Sequence, residues 1–565
     1  MLDGFTPWPA AQAERYRSAG YWEGLTLWAM MARSVARWPD KVALVAGHVR
    51  QTYADLDRVS ARLGAALLRL GIRPQDRVVL QLPNGAEFVH YYLALVRIGA
   101  IPVMALRAHR HTEVRHFIRA SGAVAYVLPD VAHKFDYRPM ATEMQAEFAD
   151  LRHVIVVGQP GSGQLAHQDL LASVNPDDSA GIAATLATAA FDATDVATML
   201  LSGGTTSLSK LIPRTHQDYV LNARLCGQAG GFDADTVFMA ILPLGHNYNL
   251  ASPGMLGTFY YGGTAVLAPS TDTADIFALV QQEKVTVIAA VVPLISAWLS
   301  APEADRFDTS SLKVVQNGGA RLPPELRQRL MQRFGCTPQE IYGTAEGLIN
   351  MTRLDDPPDM ILHSSGSPVC ADDEIRVVDD EGHDVPDGET GELLTRGPYT
   401  ICGYYCAPEK NAEAFTADGF YRMGDIVRKQ GRHVFTEGRR KDLINRGGEK
   451  ISCEEVENFI LKHPAVRSVS LVAMPDPVFG EKACAFVIPM EGQTLTFDAL
   501  IAFLKAQNIA SFKLPERLEV VDQFPMSPVG KILKRQLRDA IAERLAQEQQ
   551  AAAVPVASAA RPPVH

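Results

Sequence analysis

Leu56, Val59, Leu63, Leu67 and Leu70 recur every three or four positions, the spacing of one buried helical face. Thr52 stands ahead of them as an N-cap, with Asp55 as a shorter stand-in for the capping-box Glu, and Gly71 lies where the helix would end. Short apolar runs follow, RVVLQL from Arg77 and VAYVL from Val124, bounded by Asp, Pro and Gly as buried strands are. Residues 87–98 between them read as another helix. Strand and helix in alternation over the first 200 or so residues predict parallel sheets covered by helices. The Ala-, Asp- and Ser-rich stretch 174–195 reads as a loop or short linker. A second α/β stretch runs over 196–366, followed over 374–437 by short strands and many glycines. Residues 441–545 show a helix–strand–strand–helix–strand–helix order, enough for a small α+β domain. The Ala/Pro-rich residues 546–565 read as a disordered tail. The expected organisation is therefore a large α/β lobe over 1–440 with a β-rich subdomain, and a small mobile α+β domain over 441–545.

Length agrees, since 565 residues exceed what one hydrophobic core organises. A net charge of −10 gives no basic footprint for nucleic acid and argues against an anionic membrane surface. The apolar run 285–299 is too short to span a bilayer and contains Pro293. It fits a buried strand and the start of a helix. Seven scattered cysteines, without metal-ligand spacing, read as free thiols of a reducing compartment. With no basic and then apolar leader at the N-terminus, the expected location is cytoplasmic. Among the histidines, His109, His111 and His116 are the closest group, and the arginines around them would repel a metal cation.

Chemistry begins at Ser202-Gly-Gly-Thr-Thr-Ser-Leu-Ser-Lys210, directly after the apolar run 197–201. Two glycines and several hydroxyls let N–H and O–H groups converge on an anion, and Lys210 adds positive charge. The spacing is not that of a Walker A loop. Four further motifs follow in order: Tyr342-Gly-Thr-Ala-Glu346, Tyr421-Arg-Met-Gly-Asp425, Gly438-Arg-Arg-Lys-Asp442 with Arg446-Gly-Gly-Glu-Lys450, and Pro528-Val-Gly-Lys531. Together the five resemble the motif set of the adenylate-forming superfamily: acyl-CoA synthetases, peptide-synthetase adenylation domains and luciferases.

The resemblance implies ATP and Mg2+ as cofactors. Carboxylate attack on ATP sets negative charge against negative charge, so cations and fixed N–H dipoles are needed where charge develops. Ser202, Gly203, Gly204, Thr205, Thr206 and Lys210 would cradle the β- and γ-phosphates. Glu346 would hold Mg2+ as a hard oxygen ligand. Asp425 would accept from the ribose hydroxyls, and Arg439 would reach ribose or phosphate. Gly319, Tyr342 and Gly343 are placed with the nucleotide. Lys531 would bridge the substrate carboxylate and the α-phosphate. His246 is counted with Lys531 and Glu346 as a catalytic candidate. Lys441 would be the hinge about which the small domain turns between half-reactions. The chain departs from the superfamily pattern at Ser207 for Gly, Ser209 for Pro, Ala345 for Thr and Met423 for Thr, none of which removes a charged group.

The segment LPLGHNYNLASPG, 242–254, carries Asn247 where domains for α-amino acids have an Asp that pairs with the substrate ammonium. An amide cannot offset a buried ammonium, but it can hydrogen-bond a phenol. This segment, LIPRTH (211–216), TRGPYTI (395–401) and INRGGEK (444–450) look like the aryl-acid–AMP ligases of siderophore assembly. That likeness implies that Asn247 binds a 2-hydroxyl, Tyr248 shapes the pocket, and Ser252 meets a 3-hydroxyl. Ala320, Ile341, Ala345 and Ile349 would line the ring slot. Related salicylate enzymes tend to carry Cys at the place of Ser252, so 2,3-dihydroxybenzoate is preferred over salicylate as the small aryl acid. Too few residues follow 545 for a carrier domain, so the accepting thiol is expected from the phosphopantetheine of a separate aryl carrier protein or from coenzyme A. An aryl-CoA ligase is the nearest alternative. A luciferase-like oxygenase is a more distant one, disfavoured by the pocket segment.

Overall fold

The computed structural model describes residues 1–202, 209–439, 442–447, 449–507, 509–527 and 530–553. The chain divides into two compact units. One comprises residues 1–423, 427–436 and 528–530, and the other residues 424–426, 437–527 and 531–565.

The first unit has the sheet-and-helix layering expected from the alternating pattern. Among the described residues its largest sheet has nine strands. Six run parallel, in the order Thr337–Thr344, Val314–Gly318, Val287–Ala290, Val237–Ala240, Thr264–Leu267 and Val42–Ala46. Gly347–Met351 and Val49–Thr52 flank this run antiparallel. The parallel strands are short and almost wholly buried, as strands covered on both faces must be. A seven-stranded sheet carries Val196–Leu201 beside Ile101–Met104, with Leu211–Thr215 antiparallel at its edge. Glu374–Val378, Thr390–Arg396, Tyr421–Gln430 and His433–Arg439 form a four-stranded sheet, the β-rich part read from the glycine-rich stretch. The 285–299 run is the strand Val287–Ala290 and the helix Val292–Ser300, with Pro293 in its first turn.

Two readings need correction. The 174–195 stretch contains the helix Ser179–Leu186, started by the Asp178 carboxylate accepting from the Gly181 N–H at 2.9 Å. Only Ile182 in it is buried, so it carries no apolar stripe that periodicity could find. The final helix Lys534–Ala553 runs past residue 545 into the stretch read as tail. There Arg517 holds Glu548 with two bonds of 2.8 and 2.6 Å.

The second unit holds Cys453–Ile460, Val466–Asp476, Gly480–Pro489, Phe497–Ala506, Arg517–Val520 and Lys534–Ala553 in chain order, after a small hairpin of Ile444–Arg446 and Glu449–Ile451. Its own apolar core includes Val456, Ile460, Leu471, Val487, Leu500 and Leu504.

Candidate functional site

In open parallel sheets, ligands bind outside the carboxyl ends of the strands. In the first unit the candidate residues gather there. His246, Asn247, Tyr248 and Ser252 follow the strand Val237–Ala240, Gly319 and Ala320 follow Val314–Gly318, and Tyr342 through Glu346 end Thr337–Thr344.

The acid segment folds as the short helix Asn247–Ala251, whose N-cap is His246 with Nδ1 accepting from the Tyr248 N–H at 3.3 Å. The Asn247 amide is buried and engaged at both ends. Its Oδ1 accepts from the Tyr219 hydroxyl at 2.7 Å, and its Nδ2 donates to Ser252 Oγ at 3.1 Å. Asn222 Nδ2 also donates to Ser252 Oγ, at 3.3 Å, and to the Ala251 carbonyl at 2.6 Å. Burial pushes the pKa of the nearby helix residue Cys226 up, keeping it a thiol. Tyr219, Asn222 and Cys226 share the helix His216–Ala229. The Tyr248 hydroxyl donates to the Ala290 carbonyl at 3.3 Å, and its ring lies 3.0 Å from where a Cβ on Gly318 would stand. Glycine there lets the ring lie against the strand end. The Gly319-Ala320 turn is fixed by Asn317, which donates to the Ala320 carbonyl at 2.7 Å and to buried Glu340, itself 2.8 Å from Arg327. Ile341 and Ile349 are buried, and Ala345 is half-buried.

Glu346 sits in the tight turn between Thr337–Thr344 and Gly347–Met351. A Cβ on Gly347, whose φ is +143°, would lie 2.3 Å from the Thr400 Cα, so only glycine fits. Leu348, next along, has φ +42°, an uncommon conformation for a branched side chain and held here by complete burial. The Glu346 carbonyl accepts from the Ile401 N–H at 2.8 Å, and its carboxylate accepts from the Tyr404 hydroxyl at 2.8 Å. Lys210 Nζ stands 4.0 Å over the Tyr404 ring. Burial lowers the Lys210 pKa, and the Glu346 carboxylate partly offsets that. Ser202 and Lys210 close the neck of the phosphate loop: the Ser202 N–H donates to the Lys210 carbonyl at 3.0 Å, and the Lys210 N–H to Ser202 Oγ at 2.9 Å. Gly203, Gly204, Thr205 and Thr206 lie outside the described residues.

Behind the Glu346 turn, the Tyr399 hydroxyl accepts from the Ile349 N–H at 3.2 Å and donates to Asp373 at 2.5 Å. Burial pushes the Asp373 carboxyl up to about 7. The fold therefore holds this proton where the unfolded chain has lost it. The associated stability is fully present below the ordinary carboxylate range and is lost as pH rises from about 4 to about 7. Asp373→Asn should flatten that slope, which is at most about 1.4 kcal/mol per pH unit. Urea midpoints for both proteins across that window check it, and parallel curves would show that Asp373 is not the group.

In the second unit, Arg439 Nε lies 3.0 Å from Asp425 Oδ1, so two residues read separately as nucleotide contacts form one ion pair. Lys531 follows Gly530 in a hairpin. The Ser527 N–H donates to the Lys531 carbonyl at 2.7 Å, the Lys531 N–H to Ser527 Oγ at 3.0 Å, and Met526 bridges Ile532. Lys441, the expected hinge, lies outside the described residues.

The pattern of AMP-binding enzymes matches residues 31–405, and that of the AMP-binding enzyme C-terminal domain matches 455–531. The chain belongs to the AMP-binding enzyme family. Its sequence is similar to a 2,3-dihydroxybenzoate-AMP ligase of Bacillus subtilis (strain 168), at 46% identity over 96% of this chain and 99% of that one. It is similar also to a salicyl-AMP ligase / salicyl-S-ArCP synthetase of Mycobacterium tuberculosis, at 44% identity over 94% of each chain. Among solved structures it resembles the apo structure of Mycobacterium smegmatis MbtA, with a TM-score of 0.72, 39% identity, and coverage of 95% of this chain and 98% of that one.

Within this AMP-binding enzyme, sequence reasoning passed over several residues that build the site. Tyr404, between Cys402 and Cys406, belongs to none of the five motifs, yet it holds Glu346. LIPRTH pointed to a family, yet its Arg214 ties the Glu346 turn to the phosphate-loop strand. Tyr219 and Asn222 lie on the helix His216–Ala229 in no motif read from the sequence, yet they hold the Asn247–Ser252 pair.

Proposed function

We propose that this protein activates 2,3-dihydroxybenzoate with ATP, forming the aryl-AMP and pyrophosphate. It then passes the aryl group to the phosphopantetheine thiol of a carrier protein in siderophore biosynthesis. The observation that carries the reading is the buried Asn247–Ser252 pair, held in place by Tyr219 and Asn222. It offers amide and hydroxyl groups to phenols, and its Asn247 amide cannot balance an ammonium. The identities of the relatives support the same substrate class.

For Mg2+ the donor set fits in kind. Glu346 is a single hard carboxylate steadied by Tyr404 beside the phosphate-loop lysine, and Mg2+ commonly takes one or two carboxylates with phosphates and waters. When bound, the ion neutralises charge on the phosphates. The protein's own part is to hold that carboxylate, supply Lys210 at the loop neck, and bring the Lys531 ammonium to the α-phosphate. His246 Nδ1, occupied as a helix cap, gives that residue a shaping role in the acid segment.

Pyrophosphate exchange with 2,3-dihydroxybenzoate, salicylate, benzoate and anthranilate tests the assignment. A wild type that prefers salicylate overturns it. Ser252→Cys should lower the kcat/KM ratio of 2,3-dihydroxybenzoate over salicylate about tenfold, because a neutral hydrogen bond contributes about 0.5–1.5 kcal/mol and about 1.4 kcal/mol corresponds to that factor. Asn247→Ala should damage both acids, since both carry the 2-hydroxyl. An unchanged ratio in Ser252→Cys would show that the 3-hydroxyl is read elsewhere.

A further inference from the structure

Arg214 and Asp218 are both completely buried, and they are paired: Arg214 Nε donates to Asp218 Oδ1 at 2.8 Å. The other carboxylate oxygen of Asp218 accepts from the Thr215 N–H at 2.6 Å and from the Thr215 hydroxyl at 2.8 Å. Asp218 therefore caps the helix His216–Ala229 and aims the guanidinium at the same time. The remaining guanidinium nitrogens reach across the fold. Nη1 donates to the Ala345 carbonyl at 3.0 Å, and Nη2 to the Tyr399 carbonyl at 3.2 Å.

A buried ion pair is a poor stabiliser in itself, because desolvation cancels most of its attraction. What a planar guanidinium supplies is fixed geometry among several acceptors. Here the three acceptors are informative. Ala345 immediately precedes Glu346. Tyr399 lies two residues before Ile401, whose N–H holds the Glu346 carbonyl. Arg214 itself sits on Leu211–Thr215, the strand that returns from the phosphate loop four residues after Lys210. One side chain thus joins the phosphate-loop strand, the peptide that carries Glu346, and the segment that braces Glu346 from behind.

We propose that Arg214, aimed by Asp218, is a positioning residue for the metal–nucleotide complex. It sets where the Glu346 carboxylate stands relative to Ser202 and Lys210, the described neck of the phosphate loop. The inference rests on reading Glu346 as the ligand of a phosphate-bound Mg2+. Arg214 is completely buried, and its effect runs through the Ala345–Glu346 peptide. Displacing reacting groups by about 1 Å can cost about 100-fold in rate.

The test measures ATP affinity by titration calorimetry, with Mg2+ and with EDTA, for wild type, Arg214→Met, Arg214→Lys and Glu346→Gln. Thermal melting and the KM values for ATP and for 2,3-dihydroxybenzoate accompany it. Arg214→Met is expected to remove most of the tightening that Mg2+ gives to ATP binding, as Glu346→Gln does, and to lower the adenylation kcat about 100-fold. The aryl-acid KM should move much less. Arg214→Lys, which keeps the charge but not the three-way fork, should fall between the two and serves alone if the Met variant does not fold. If Glu346→Gln loses the Mg2+ effect while folded Arg214 variants keep it, Arg214 has no positioning role. If Glu346→Gln itself keeps the Mg2+ effect, the reading of Glu346 fails and this inference fails with it.

Discussion

Lys531→Ala is expected to lower ATP–pyrophosphate exchange on the order of 100- to 1,000-fold, the usual cost of removing one fixed group that meets developing charge. The loss should fall on the first half-reaction alone. Adenylation brings a carboxylate against an α-phosphate, and a cation between them is what that step requires. Thioester formation from the finished aryl-AMP sets a thiol against a mixed anhydride and has no such requirement for this lysine. The variant should fold. The hairpin that presents Lys531 is closed by its backbone N–H and carbonyl with Ser527 and by the Met526–Ile532 bridge, all of which survive truncation at Cβ. Gly530 keeps its positive φ of +77° unchanged. The measurement supplies pre-formed aryl-AMP and carrier protein and follows the thioester. Equal losses in exchange and transfer would overturn the division of labour.

Glu346→Gln should be comparably severe, on the order of 100-fold in exchange, with a different signature. The substitution keeps the shape and leaves an oxygen that can still accept from the Tyr404 hydroxyl, so the turn should hold. Only the charge is removed. The Mg2+ concentration for half-maximal exchange should therefore rise by roughly tenfold or more, since even indirect support of a metal ligand is worth that much. Tyr404→Phe makes the complementary change, keeping the carboxylate and deleting its donor. A hydrogen bond to a charged group contributes about 1.5–3 kcal/mol, so this variant should show a smaller shift in the same direction. A Mg2+ requirement unchanged in both variants would show that another group holds the ion.

Legibility in the sequence followed the range of the interactions. The helix Tyr53–Leu70 was readable to its ends. Thr52 accepts from the Asp55 N–H while Asp55 accepts from the Thr52 N–H, and Gly71 closes it in the left-handed region, all within a few residues of the pattern itself. Ser179–Leu186 was not readable, because an Ala-rich helix with one buried side chain has no periodicity. Among the candidate residues, Glu346, Asp425 and Lys531 stood out as charges in recognisable motifs. Arg214 did not, because its meaning lies in carbonyls 131 and 185 residues away. Tyr399 is similar. It acquires a role only through Asp373 and the Ile349 N–H.

On the proposed function, the helix His216–Ala229 would serve both ends of the reaction. Tyr219 and Asn222 on it hold the Asn247–Ser252 pair, while Asp218 in its first turn aims Arg214 at the peptide preceding Glu346. On that reading, acid recognition and nucleotide support would share one helix rather than form separable modules. Anyone redesigning it for a bulkier aromatic acid by carving space near Ser252 will be leaning on the same rod that steadies the Glu346 turn. Retargeted variants should be screened for ATP affinity as well as for the new acid. Compensating changes are best sought along this helix rather than in the ring slot.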